Sequence, residues 1–168
     1  ATVEASFIFS DAAGMIAVLS GAEEIRLQII SSIVDRIYKF RIYRVHSRTR
    51  SSQTSDVFMV DCVSDEYMRN ESTSVFGNSD ILFKKKRKAE NMIETLVKGG
   101  NYLNSSKNLY IEETVNKHSF VAVNWRPLDT IYWIARRSIR KSKLSGALQN
   151  AFSFYENGLG YHFKSIKS

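Results

Sequence analysis

The chain has very little cysteine and proline: one of each in 168 residues. With Cys62 alone, no internal disulfide can form, and one cysteine with three scattered histidines offers no zinc-type spacing. Cys62 sits in the apolar run "DVFMVDCV", where a buried, inert thiol is expected. No apolar run approaches the length of about 18 residues that a membrane-spanning helix needs, which excludes that kind of insertion. The first residues lack a basic region followed by an apolar one, so no secretory leader is read there. The chain opens "ATVEASFIF", without methionine and already in strand-like sequence, and reads as a processed chain or a piece of a longer one.

Catalytic signatures are missing as well. No GxSxG, P-loop, HExxH or GxGxxG pattern occurs. The acid pairs Glu23–Glu24 and Glu112–Glu113 are neighbours in strand-like sequence, so their carboxylates point to opposite faces and cannot jointly flank one bond. His46, His118 and His162 do not converge in sequence. The expectation is no catalytic group, no metal and no cofactor.

What is present is apolar and basic. Hydrophobic residues make up 43% and aromatics 12%, enough for a packed core, and the length suits one ordinary domain or two small ones. The formal charge of +7 invites a polyanion or an acidic surface. Much of it lies in "FKKKRK" (83–88) and "ARRSIRKSK" (135–143).

The first third alternates at strand period: "VEASFIF", "EEIRLQII" (23–30), "IYKFRIYRVHS" (37–47) and "DVFMVDCV" (56–63). In the third of these, Tyr38, Phe40, Ile42 and Arg44 fall on one side and Ile37, Lys39, Arg41, Tyr43 and Val45 on the other. Bulk on both sides suggests a central strand. "RTRSSQTS" (48–55) is a polar hairpin connection. The period then changes. Ser64 caps a short helix with acids in its first turn. Ala89, Met92, Ile93, Leu96 and Val97 mark a helical stripe ended by Gly99 and Gly100. "NLYIEE" (108–113) and "SFVAV" (119–123) read as short strands. Pro127 opens a last helix whose apolar face is Leu128, Ile131, Tyr132, Ala135 and Ile139, and whose end is basic. "AFSFYENGLGYHFKSI" (151–166) closes the chain as an aromatic hairpin turning at Asn157 and Gly158.

Two basic clusters are candidate partner contacts. Lys84, Lys85, Lys86, Arg87 and Lys88 are five consecutive charges, which a helix would spread around its circumference. They read as a solvated helix start or as a polyanion or protein contact. Arg136, Arg137 and Arg140 read as an ordinary helix end or as a face for an acidic subunit. A basic nucleic-acid-binding module is the alternative function that the charge suggests.

The run Asn124, Trp125, Arg126, Pro127, Leu128, Asp129 is followed by Phe152, Phe154, Tyr155, Glu156 and then Gly160, Tyr161, His162, Phe163, Lys164, Ser165, Ile166. With "YKFRIYRV", "MVDCVSDEYMRNE" and "KNLYIEET" upstream, this order resembles the central baseplate hub proteins of T-even-like contractile-tailed bacteriophages, over roughly residues 20–168. Members are about twice as long, so this chain would be the N-terminal part. The resemblance implies an α+β fold: an antiparallel β-barrel-like tail-hub domain (1–72 plus 148–168) interrupted by an inserted helix-rich α/β subdomain (73–147). It implies a structural role in the virion, adapting the tail tube to the central spike by shape. Partners would be other baseplate proteins, tube subunits and the spike, with three copies in a ring and DNA passing through its channel. Trp125, Pro127, Phe152, Phe154, Tyr161 and Phe163 are then packing residues, and the closing ribbon rejoins the early strands as barrel wall.

Overall fold

The computed structural model describes residues 4–12, 19, 21, 23–32, 35–53, 55–76, 86–141 and 151–166. The chain forms two compact units, residues 2–68 and residues 69–168.

The first unit is one antiparallel sheet in the order β1-β4-β3-β2: β1 (Glu4–Asp11), β2 (Glu24–Ile30), β3 (Asp35–Arg50) and β4 (Asp56–Ser64). As the two-sided bulk of its sequence suggests, β3 is central. It turns into β4 through a tight loop in which the Ser51 amide donates to the Ser55 carbonyl at 2.8 Å. Alternation places Ala5, Phe7 and Phe9 opposite Cys62, Val60 and Phe58, and with Phe40 and Ile42 these residues build the core of the sheet's inner face. Phe9 stacks on Phe58 at 5.3 Å and Phe7 meets Phe40 edge-on at 5.5 Å, the geometries that aromatic rings favour. Cys62 is buried, and burial pushes its thiol up, so it is an inert core residue.

Strict alternation fails twice in β3. The register shifts between Ile42 and Arg44 and again between Val45 and Ser47. Ile42 therefore opposes Cys62 while Arg44 opposes Asp61, which puts them on opposite faces and separates Arg44 from Tyr38, Phe40 and Ile42. Bulges bend and twist a strand, and this sheet is a curled half-barrel.

Helix α1 (Asp65–Ser72) follows β4 directly. Ser64 stands where a cap is expected, but its buried hydroxyl has no partner among the described residues. The first turn is instead held by charge: Asp65 and Glu66 lie at the positive end of the helix, and Asp65 accepts from Arg41 at 2.8 Å.

The second unit holds α2 (Ala89–Lys98), α3 (Pro127–Arg137) and a three-stranded sheet of β7 (Leu109–Ile111), β10 (Phe152–Asn157) and β11 (Gly160–Ser165) in the order β10-β11-β7. Two short ribbons complete it: β5 (Val75–Phe76) with β9 (Val123–Trp125), and β6 (Arg87–Lys88) with β8 (Lys117–His118). The expected stripe of α2 is buried in full. On α3 the buried face is Leu128, Ile131, Ile134 and Ala135; Tyr132 lies exposed, and Ile139 falls beyond the helix end. Both stripes share one core with Phe152, Phe154, Tyr161 and Phe163.

Here the structure corrects the sequence reading. The closing hairpin does not pair with the early strands. β11 takes β10 on one edge and β7, in parallel, on the other (Tyr161↔Leu109, His162↔Tyr110, Phe163↔Ile111). It belongs with residues 69–141 rather than with residues 2–68. An aromatic hairpin face demands an apolar partner, and the stripes of α2 and α3 supply it. The turn also differs by one residue: Gly158 and Leu159 are its central pair, and the Asn157 side chain accepts the Leu159 amide at 2.8 Å.

α3 is capped from a distance at both ends. Arg126 offers no side-chain cap, so the buried Asn70 accepts the Leu128 amide at 2.9 Å. At the other end the Asn116 amide donates to the Arg137 carbonyl at 2.6 Å and its oxygen accepts the Ile139 amide at 2.9 Å. Asn70→Ala is expected to cost about 1 kcal/mol in urea unfolding, the usual value of a lost cap; an unchanged midpoint would rule that role out.

Candidate interaction surfaces

The three histidines each have a local partner. His46 pairs with Asp61, His118 lies 3.3 Å from the Ser138 hydroxyl, and His162 bonds Asn157 at 2.8 Å. The Ser138–His118 pair is buried, and Ser138 donates to the Ile134 carbonyl at 2.8 Å, so this hydroxyl serves the end of α3. Burial, then the nearby Arg137, holds His118 below its ordinary range. Among the described residues no three His, Cys, Asp or Glu side chains group as a metal site would require.

His162 is the middle ring of a stack that crosses the three-stranded sheet on the face away from the core. Tyr155 lies 5.0 Å to one side and Tyr110 4.8 Å to the other, nearly parallel to it. The next row on this face leads to Ser153, Lys164 and Glu112, and an open depression of about 980 Å³ lies over both rows. Glu112 ties the depression's floor together. It accepts from the Ser165 amide at 2.9 Å and hydroxyl at 3.0 Å, and pairs with Arg140 at 2.9 Å. Burial raises the Glu112 pKa, but the Ser165 bonds and Arg140 outweigh it and hold the carboxyl below the ordinary carboxylate range. A depressed pKa contributes stability that is full above the unfolded value and is lost as pH falls through the folded one. The stability gap between the wild type and Glu112→Gln, read from urea midpoints at pH 7, should therefore shrink below about pH 4.5. A gap independent of pH would contradict the ionic role.

The basic runs behave differently from the sequence expectation. Lys84 and Lys85 lie outside the described residues. Lys86 is exposed, and Arg87 and Lys88 form strand β6 rather than a helix start, since α2 begins at Ala89. Arg140 lies beyond α3 and is committed to Glu112, while Arg137 lies over the Trp133 ring at 4.1 Å. Arg136 is exposed.

The two runs nonetheless meet. β6 pairs with β8 (Arg87↔His118, Lys88↔Lys117), and the His118 ring reaches Ser138 at the end of α3 while meeting Trp133 edge-on at 6.2 Å. Glu113, paired with Lys141 at 3.2 Å, is held low by Lys141 first and then by Lys88. Lys88 and Lys117 thus share one face of the ribbon, while Arg87 and the buried His118 lie on the other, toward the end of α3; Lys117 is a residue that sequence reading had passed over. Lys88 and Lys117 are cross-strand neighbours on one face, and like charges so placed destabilise a ribbon. Lys117→Glu should raise stability by about 0.5 kcal/mol in thermal or urea melts; a drop would mean the pair is not repulsive.

Charge is divided between the units. Residues 2–68 hold seven Lys and Arg against nine Asp and Glu, whereas residues 69–168 hold seventeen against eight. The packing candidates are buried, apart from the half-buried Trp125, which stacks with Phe120 at 5.9 Å beside Trp133. The described residues include no helix long and apolar enough to cross a membrane.

A curled antiparallel half-barrel sheet, joined in one chain to an α+β unit, with three helices among the described residues, is a tail-hub-like fold. The particular likeness is to the E. coli c3393 protein, described as a component of the type VI secretion system with structural similarity to the T4 bacteriophage tail proteins gp27 and gp5. It covers 97% of this chain with a TM-score of 0.59 at 10% identity. This chain spans 42% of that protein's length. At such identity the shared property is the fold. No family model matches the sequence, and no curated protein does.

Proposed function

We propose that this chain is a structural component of a contractile phage tail: a baseplate hub subunit, of the kind found in T-even-like phages, that adapts the tail tube to the central spike. The observation that carries this reading is a tail-related fold followed over 97% of the chain. Three copies would close a ring, meeting tube subunits on one face and the spike on the other, with other baseplate proteins around them and DNA passing through its channel. The function would be geometric, with no bond made or broken and no cofactor. Two features support a role in assembly. β2 is an edge strand, and Ile29 and Ile30 on it, with the neighbouring Ile37, are exposed. Open apolar edges of this kind favour contact with another chain.

The test is positional. Intact particles labelled with an antibody to this chain should carry the label at the tail tip in negative-stain images. Label confined to the head, the sheath or the free-protein fraction would overturn the hub role.

A further inference from the structure

The surface formed by β6, β8 and the end of α3 is organised for more than solubility. Its centre is the Lys88–Lys117 pair, two like charges held side by side by strand pairing. Lys86, two residues before Lys88, is exposed, as is Arg136, while Arg87 lies on the ribbon's other face beside the buried His118. Arg87, Lys117 and Arg136 have no carboxylate partner among the described residues, and the Glu113 carboxylate near Lys88 is already held by Lys141. The neighbouring acids that could have neutralised this surface are turned to other work. Glu112 binds Arg140 and Ser165, and Glu90 accepts the Thr114 amide and hydroxyl at 2.5 and 2.9 Å. A fold that leaves this repulsion standing gains by it when an anion arrives.

We propose that this surface binds the phosphate backbone of a nucleic acid, without reading its sequence. Two observations favour phosphate over an acidic protein. Most of the available cations are lysines, which bind phosphates as point charges. Protein interfaces centre on an apolar patch depleted of charge, whereas here the charges hold the centre. The activity is separate from the hub role and stands or falls without it.

The test uses the full chain and a fluorescein-labelled 20-base-pair duplex, read by anisotropy. With about four phosphate contacts, the log–log slope of affinity against salt should be near −3.6, so doubling the salt weakens binding about ten-fold. The double variant Lys88→Gln/Lys117→Gln should weaken binding at least ten-fold at about 0.1 M salt and reduce the slope by about two. A charge-matched control, Lys39→Gln/Arg44→Gln in the first unit, should leave affinity within two-fold. Equal losses in both variants would reduce the effect to net charge and overturn the site. So would absence of binding, or polyglutamate of matched charge binding as tightly as the duplex, which would point to an acidic protein instead.

Discussion

Gly160→Ala is expected to cost about 3 kcal/mol or more of unfolding free energy. Two independent reasons meet at this position. Its φ is +135°, a conformation that L side chains rarely adopt. An added Cβ would also stand 2.3 Å from the Asn108 carbonyl oxygen and 3.0 Å from its carbon. That oxygen cannot simply retreat, because it accepts the Tyr161 amide at 2.8 Å at the start of the parallel ladder. Either β7 withdraws and its three residue pairs with β11 are lost, or Gly160 changes φ and the hairpin loses its register. Gly100→Ala is the control, since nothing lies within 4 Å of its added Cβ. It should shift the urea midpoint by an amount equivalent to no more than about 0.5 kcal/mol. Equal effects of the two substitutions would refute the close approach of β7.

That close approach marks the boundary of what the sequence discloses. Local signals carried well. The strands β3 and β4, the stripe of α2 and the proline opening α3 are written in neighbouring residues and appear where expected, although β3 runs on to Arg50, into the connection read at 48–55. Partner choice did not carry. The face formed by Phe152, Phe154, Tyr161 and Phe163 announces that it must be covered, yet pairing on the free edge of β11 depends on a strand more than 40 residues away in sequence. β7 is three residues long, too short to advertise itself as the partner. The bulges in β3 escaped for a related reason. One extra residue leaves no mark in composition, but it reverses the face of everything beyond it until the next bulge.

The candidate surface was half legible. Each basic run was visible, but "FKKKRK" was assigned to a helix start because the helix period begins at once after it. A two-residue strand has no periodicity to detect. Lys117 falls between the strands expected at 108–113 and 119–123 and carries no signal of its own; only its pairing with Lys88 gives it meaning. The signal that could have found it is compositional: the excess of base over acid is confined to residues 69–168, which already narrows the place for an anion.

Phe163→Ala tests the reassignment of the closing hairpin to the second unit. Phe163 is fully buried, stacks on Phe152 at 4.6 Å and opposes Phe154 across the ladder. Removing a buried phenylalanine ring deletes its transfer energy and leaves a cavity, together about 3–5 kcal/mol. Tyr155 makes the comparison sharp. It sits on the same hairpin but on the other face, partly exposed, with one stacked neighbour in His162. Tyr155→Ala should cost about 1 kcal/mol, the scale of a single aromatic contact. Hydrogen exchange locates the damage: amides of α2 and α3, whose apolar stripes share a core with Phe163, should lose protection in the Phe163 variant at pH 7. Protection lost in β1 to β4 while α2 and α3 stay unchanged would return the aromatic ribbon to the early strands. Equal costs for the two substitutions would mean that neither face of the hairpin is the core face.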